Sequence, residues 1–194
     1  IQILNAISGL GYLFIAQGWK SSIRKKILLW GYRAILNSKK VWILFQNPDD
    51  QALFTKHKII YPEHAFKIKG SGVDLQQFAY SPIPKDRVKV ILVARMLWDK
   101  GVGEFVESAT VLIQQGIDAD FLLVGSVDSG NPESISAKQL EQWNKSGVVK
   151  WLGERADIAQ LLAESHIAVL PSYREGLPKS LIEAAAVGRA IVTT

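Results

Sequence analysis

The chain has 194 residues and no cysteine, which excludes a disulfide framework and a thiolate metal site. Its 48% hydrophobic and 21% charged content excludes a disordered chain, and its length allows one large domain or two partial ones. The net charge of +5 is unevenly spread: residues 1–48 hold seven cations and no acid, which points to an anionic partner at that end. The first residue is Ile1 rather than methionine, and Thr194 closes an apolar run, so the chain reads as a fragment of a longer protein.

Residues 1–18 carry no charge, yet Gln2, Asn5, Ser8, Gln17, Gly9, Gly11 and Gly18 break them up too often for a membrane span. No basic segment precedes them, as a cleaved signal peptide would require. Residues 1–7 read as a buried strand and 8–12 as a turn, whose Gly-x-Gly lacks the third glycine of a dinucleotide loop. Residues 21–38 predict a helix. With Trp19, Trp30 and Tyr32 set among its cations, it could face anionic headgroups or a lipid diphosphate, or turn its aromatics to the core. Residues 41–45 predict a strand, and Asn47 or Asp49 a cap for a helix over 50–57. A short strand over 66–69 leads into Gly70-Ser71-Gly72-Val73-Asp74, and the prolines of 81–85 mark a boundary. The expected domains are therefore 1–80, a linker over 81–86, and 87–194.

From Arg87 onward strands alternate with helices. Strands are expected over 88–93, 121–124, 148–152, 167–170 and 190–193, and helices over 102–115, 134–145, 157–165 and 177–187. That alternation predicts an α/β, doubly wound parallel sheet. Arg95 and Lys100 flank the turn after its first strand. A guanidinium fork and a compact ammonium beside a helix N-terminus suit a diphosphate. Gly125 ends the second strand and leaves room for a nucleotide. Gly153-Glu154-Arg155 ends the third, where Arg155 could also be a solvated loop cation. Asp118-Ala119-Asp120 has metal-ligand spacing but precedes its strand, on the opposite sheet edge, and is read as loop. His57, His64 and His166 have no ligand spacing, and His166 reads as structural.

The most informative stretch is Pro171-Ser172-Tyr173-Arg174-Glu175-Gly176-Leu177-Pro178-Lys179-Ser180-Leu181-Ile182-Glu183, a turn between an apolar strand and an alanine-rich helix. Pro178 suits the first helical position and Gly188 the residue past the end. Ligands bind at such carboxyl strand edges in open parallel sheets. Glu175 sits in the turn. Glu183 lies inside the helix among apolar neighbours, where a carboxylate needs a polar partner.

With its strand and helix context, the Glu-x7-Glu of Glu175 and Glu183 resembles the signature of retaining GT-B glycosyltransferases, family 4, in the bacterial branch that builds O-antigen, capsule and lipid-linked oligosaccharides. The Arg-x4-Lys-Gly of Arg95, Lys100 and Gly101 is similar to the family's donor-diphosphate clamp. The resemblance implies a Rossmann-like donor domain plus the C-terminal part of an acceptor-side Rossmann-like domain. It implies sugar transfer from a nucleotide donor, UDP-linked, to a lipid-diphosphate-linked or polysaccharide acceptor with retention and without a metal cofactor. Glu175, Arg95 and Lys100 would act at the reacting groups, with Glu183, Gly125, Arg155, Gly176, Leu177 and Ser180 binding donor. Nucleic acid is not an expected partner. The expected location is cytoplasmic, peripheral to the inner face of the membrane through residues 19–40. A GT-B sugar-nucleotide epimerase and a non-catalytic nucleotide-sugar-binding or recruitment module remain as alternatives.

Overall fold

The computed structural model describes residues 1–7, 10, 19–68, 70, 72–173 and 175–194, with residues 19–21 described by backbone alone. The expected turn over 8–12 therefore lies, apart from Leu10, outside the described residues, as do Ser71 and Arg174. The chain divides into two compact units, Ile1–Ser71 and Gly72–Thr194.

In the first unit three parallel strands run in the order β1 (Ile3–Ile7), β2 (Val41–Phe45), β3 (Ala65–Lys67). Alternate residues of β2, Val41, Ile43 and Phe45, are buried against Leu29, Phe54, Ile59 and Ile60, as the period-2 side-chain alternation of a strand dictates. The expectation of a buried β1 does not hold. Among the described residues it has one neighbour, β2, and Ile3 and Leu4 are exposed on that edge. Helix α1 spans Trp19–Leu36 and α2 spans Pro48–Lys56. Asn47 caps α2, its side chain accepting from the Asp50 N–H at 2.7 Å, while Pro48 takes the first turn, where no N–H is needed.

The second unit is a five-stranded, all-parallel sheet in the order β6 (Lys150–Trp151), β5 (Ala119–Val124), β4 (Val88–Val93), β7 (Ile167–Leu170), β8 (Ala190–Thr193). Helices α3 (Val102–Gln114), α4 (Ala137–Ser146), α5 (Ile158–Ala163) and α6 (Lys179–Val187) alternate with the strands. The central strands are buried on both faces, which explains their uninterrupted apolar runs. Leu92, Phe121 and Leu123 meet Phe105, Val106 and Leu140 of α3 and α4 in one core. Ile91, Leu122 and Val124 meet Leu162, Ala184 and Val187 of α5 and α6 in the other.

Several ends shift from expectation for local reasons. Helix α4 starts at Ala137 because the Ser136 hydroxyl caps it, accepting from the Gln139 N–H. Helix α6 starts at Lys179 because Pro178, with ψ 124, is extended and forms the cap position instead of the first turn. Its C-terminal end is at Gly188, in left-handed conformation.

The unit boundary falls at Gly72, ahead of the prolines read as a linker. Phe78 is buried in the core beneath α6, and the Ser81 N–H donates to Val187 O at 3.2 Å. The buried Arg189 guanidinium donates to the Ser81 carbonyl and hydroxyl, to Ser165 O at 2.9 Å and to Val187 O at 3.0 Å. His166 adds a further tie: its Nδ1 accepts from the Lys89 N–H and its Nε2 donates to Pro84 O. The imidazole is a structural link, as its isolated position in the sequence suggested.

Candidate functional site

Strand β4 feeds α3 toward β5, whereas its other neighbour, β7, feeds α6 toward β8. The connections leaving these two adjacent strands run in opposite directions, the switch point at which open α/β sheets bind ligands. Arg95 and Lys100 lie in the first connection. Glu175, Gly176 and Leu177 lie in the second, and Ser180 in the first turn of α6.

The two connections interlock through backbone. The Ser172 hydroxyl and the Tyr173 N–H both donate to the Asp99 carbonyl at 3.0 Å. Gly101, with φ 72, lets them approach: a Cβ there would stand 2.1 Å from Pro171 O. This contact sets Lys100 beside Glu175, with Nζ 2.5 Å from Oε1 and both side chains largely shielded. The phenol of Tyr173 donates to Glu104 at the start of α3, and that carboxylate pushes the tyrosine pKa up.

The turn after β5 forms the other flank of Arg95. The Met96 N–H donates to Ser126 O, the Trp98 N–H to Glu133 O, and the Ile135 N–H to Met96 O, at 3.0, 2.8 and 2.9 Å. Arg95 Nη1 lies 2.7 Å from Asp128 Oδ2 in this turn. Gly125 is accounted for by packing: a Cβ would come within 1.8 Å of Ala94 O, and its N–H and C=O bond Gly153 O and the Trp151 indole.

Glu183 is 8% exposed, one turn into α6. Lys179, four residues earlier on the same face, places its ammonium 3.4 Å away. Pro178, the cap residue of α6, offers no side-chain acceptor to the first N–H groups of the helix. Arg155, after β6, is committed locally. It grips Asp157 through Nε at 2.8 Å and Nη2 at 2.5 Å, raising its own pKa and lowering that of the aspartate. Asp118 and Asp120 lie at the opposite sheet edge, both paired with Arg87, at 2.9 and 3.1 Å.

The structure thus joins Lys100 with Glu175 and gives Arg95 and Glu183 partners that the sequence reading did not single out. For Lys179 the four-residue spacing to Glu183 was an available signal. Asp128 offers none beyond its place after a strand, because 33 residues separate it from Arg95.

Residues 87–194, the whole strand-and-helix run that carries this site, match the family described as Glycosyl transferases group 1. The chain belongs to that family. This group 1 chain is 35% identical over 201 residues to the N,N'-diacetylbacillosaminyl-diphospho-undecaprenol alpha-1,3-N-acetylgalactosaminyltransferase of Campylobacter jejuni, covering 97% of itself and 51% of that protein. It is 30% identical over 131 residues to the UDP-Gal:alpha-D-GlcNAc-diphosphoundecaprenol alpha-1,3-galactosyltransferase of Escherichia coli, covering 61% of itself and 33% of that protein. The chain spans about half the length of the first of these relatives and less of the second. Among solved structures it superposes on WaaG, a glycosyltransferase of lipopolysaccharide biosynthesis, with TM-score 0.77 and 17% identity over 98% of this chain and 55% of that one. It superposes on Anabaena HepE in complex with UDP and glucose with TM-score 0.73 and 19% identity, over 99% and 52%. These likenesses establish the fold as that of GT-B glycosyltransferases.

Proposed function

We propose that this chain carries the donor site of a retaining glycosyltransferase that moves a sugar from a UDP-linked donor to a lipid-diphosphate-linked or polysaccharide acceptor. The observation that carries the reading is the meeting of Lys100 and Glu175 at the switch point, which sets an ammonium suited to phosphate oxygens beside a carboxylate suited to sugar hydroxyls. Cleavage of the bond between the anomeric carbon and the diphosphate oxygen leaves negative charge on the diphosphate. Arg95, Lys100 and the first N–H groups of α6 stabilise that charge as it develops. Glu175 holds hydroxyls of the donor sugar, and the buried Glu183, oriented by Lys179, takes the ribose hydroxyls. These protein cations serve the role that a metal fills elsewhere, so the transfer is proposed to be metal-independent. The UDP and lipid-diphosphate assignments draw support from the names of the bacterial relatives and from the nucleotide in HepE.

The anionic partner of the first unit is proposed to meet α1. Ile23, Ile27 and Trp30, spaced four and three apart, are exposed on one stripe, with Arg24, Lys26 and Arg33 exposed around them. Tyr32 instead turns inward, 5.4 Å from the Phe54 ring. Among the described residues no helix is long and apolar enough to cross a membrane.

Thermal-shift measurements against UDP, GDP and ADP test the donor reading. Stabilisation by UDP that is lost in Glu183→Ala supports it. Failure of every nucleotide to shift the melting temperature sinks it.

A further inference from the structure

The turn after β5 carries an acid for which the donor chemistry above has no use. Asp128 is fixed by its own backbone rather than by the arginine it meets. Its carbonyl accepts from the Asn131 N–H at 2.9 Å, the Asn131 side chain accepts from the Glu133 N–H at 3.0 Å, and Asn131 O accepts from the Ser134 N–H at 3.0 Å. Three further backbone bonds tie the turn to residues 96–98. The pair with Arg95 is partly exposed, 58% on the arginine and 32% on the aspartate, and a pair so solvated adds little to the hold of an already fastened turn.

We propose that Asp128 is a counter-charge of the donor-diphosphate site, neutralising Arg95 while the site is empty and lowering its hold on nucleoside diphosphate. The proposal rests on the donor reading and deepens it. A carboxylate and a phosphate engage the same planar fork of a guanidinium, so they compete for Arg95. The arrangement is repeated from the other side of the β4–α3 connection, where Glu175 neutralises Lys100. Both cations aimed at the diphosphate therefore have an internal acid, each from a different flanking turn. Left unopposed, they would hold a nucleoside diphosphate product, which carries more negative charge than the donor, more firmly still, and such a hold delays turnover. A fixed carboxylate offsets it and speeds departure of the product.

The test is calorimetric titration of UDP, inorganic pyrophosphate and uridine into the protein and its Asp128→Asn and Asp128→Glu variants. Asparagine keeps an oxygen for Arg95 Nη1 and removes the charge. The expected result is UDP and pyrophosphate binding about fivefold tighter in Asp128→Asn, the scale of an exposed pair. Uridine affinity stays unchanged, the gain shrinks with added salt, and UDP inhibits transfer more strongly. Asp128→Glu keeps the charge and binds as the wild type does. A merely structural aspartate would leave Asp128→Asn binding unchanged or weaker, and either outcome overturns the proposal while the donor reading stands. Failure of the wild-type protein to bind UDP or pyrophosphate overturns both.

Discussion

Lys100 and Glu175, 75 residues apart in the chain, meet at 2.5 Å because the Asp99 carbonyl accepts both a side-chain and a backbone hydrogen bond from the turn after β7. The contact belongs to the interlocked turns rather than to either residue, and each partner has its own expected loss. Lys100→Ala removes the ammonium proposed to bind the diphosphate and should weaken UDP binding about tenfold or more. Glu175→Gln, which frees Lys100 but loses the carboxylate proposed to hold the donor sugar, should leave UDP binding intact or tighter while transfer falls. Calorimetry with UDP beside a transfer assay separates the two, and equal losses of UDP binding in both variants would contradict the division of roles.

The approach of the two turns depends on Gly101. A methyl group there meets Pro171 O at 2.1 Å with φ at 72, so both the clash and the left-handed backbone penalise alanine. Gly101→Ala should cost about 2–3 kcal/mol in urea unfolding. Gly116→Ala serves as the control: its φ is 82 but nothing lies within 4 Å of the added carbon, so only the backbone penalty, about 1 kcal/mol, is expected. Equal effects would show that the turn contact is soft.

Acid should release Arg155 from Asp157. The bidentate hydrogen bonds from Arg155 hold Asp157 below the ordinary carboxylate pKa of 3.8. A lowered folded-state value means the stabilisation is fully present above the unfolded pKa and is lost as pH falls through the folded one. Neutral and mildly acidic solutions should leave the pair untouched, with the loss confined to pH below about 4. Carboxyl NMR titration should place the Asp157 midpoint below 3.8 in the wild type and return it toward that value in Arg155→Ala.

On α1, the exposed stripe of Ile23, Ile27 and Trp30 should insert at an anionic bilayer surface. Vesicles containing phosphatidylglycerol should retain the protein, and neutral phosphatidylcholine vesicles should not. Replacing both Arg24 and Arg33 with glutamate should abolish retention, since each cation near an anionic surface contributes about 1 kcal/mol. Retention independent of lipid charge would refute this assignment.

The second unit was more legible in the sequence than the first, for reasons visible in particular residues. Strands β4 and β7 end where expected because each is a short, largely apolar run closed by a bend or a proline, and β8 occupies the expected 190–193. The end of α6 is announced by Gly188, but its start is not, since proline serves equally at the cap and at the first helical position. Strand β6 pairs over only Lys150 and Trp151, because its partner β5 meets it there alone. Exposure of β1 depends on which strands lie beside it, and no local pattern encodes that. The candidate site divides the same way. Arg95, Lys100 and Glu175 could be placed on one edge because each follows the carboxyl end of an expected parallel strand, whereas the pairing of Arg95 with Asp128 depends on how a distant turn is fastened.

Arg189 decides where the second unit can be cut free for biochemistry. The family match covers residues 87–194, yet the guanidinium reaches back to Ser81, and the ring of Phe78 fills the core under α6. Trimming to the matched segment would strip a buried positive charge of two oxygen acceptors and open a void beside Ala184 and Val187. An excised second unit should therefore begin at Gly72, because the stretch before the first strand of its sheet works as a strap around that unit.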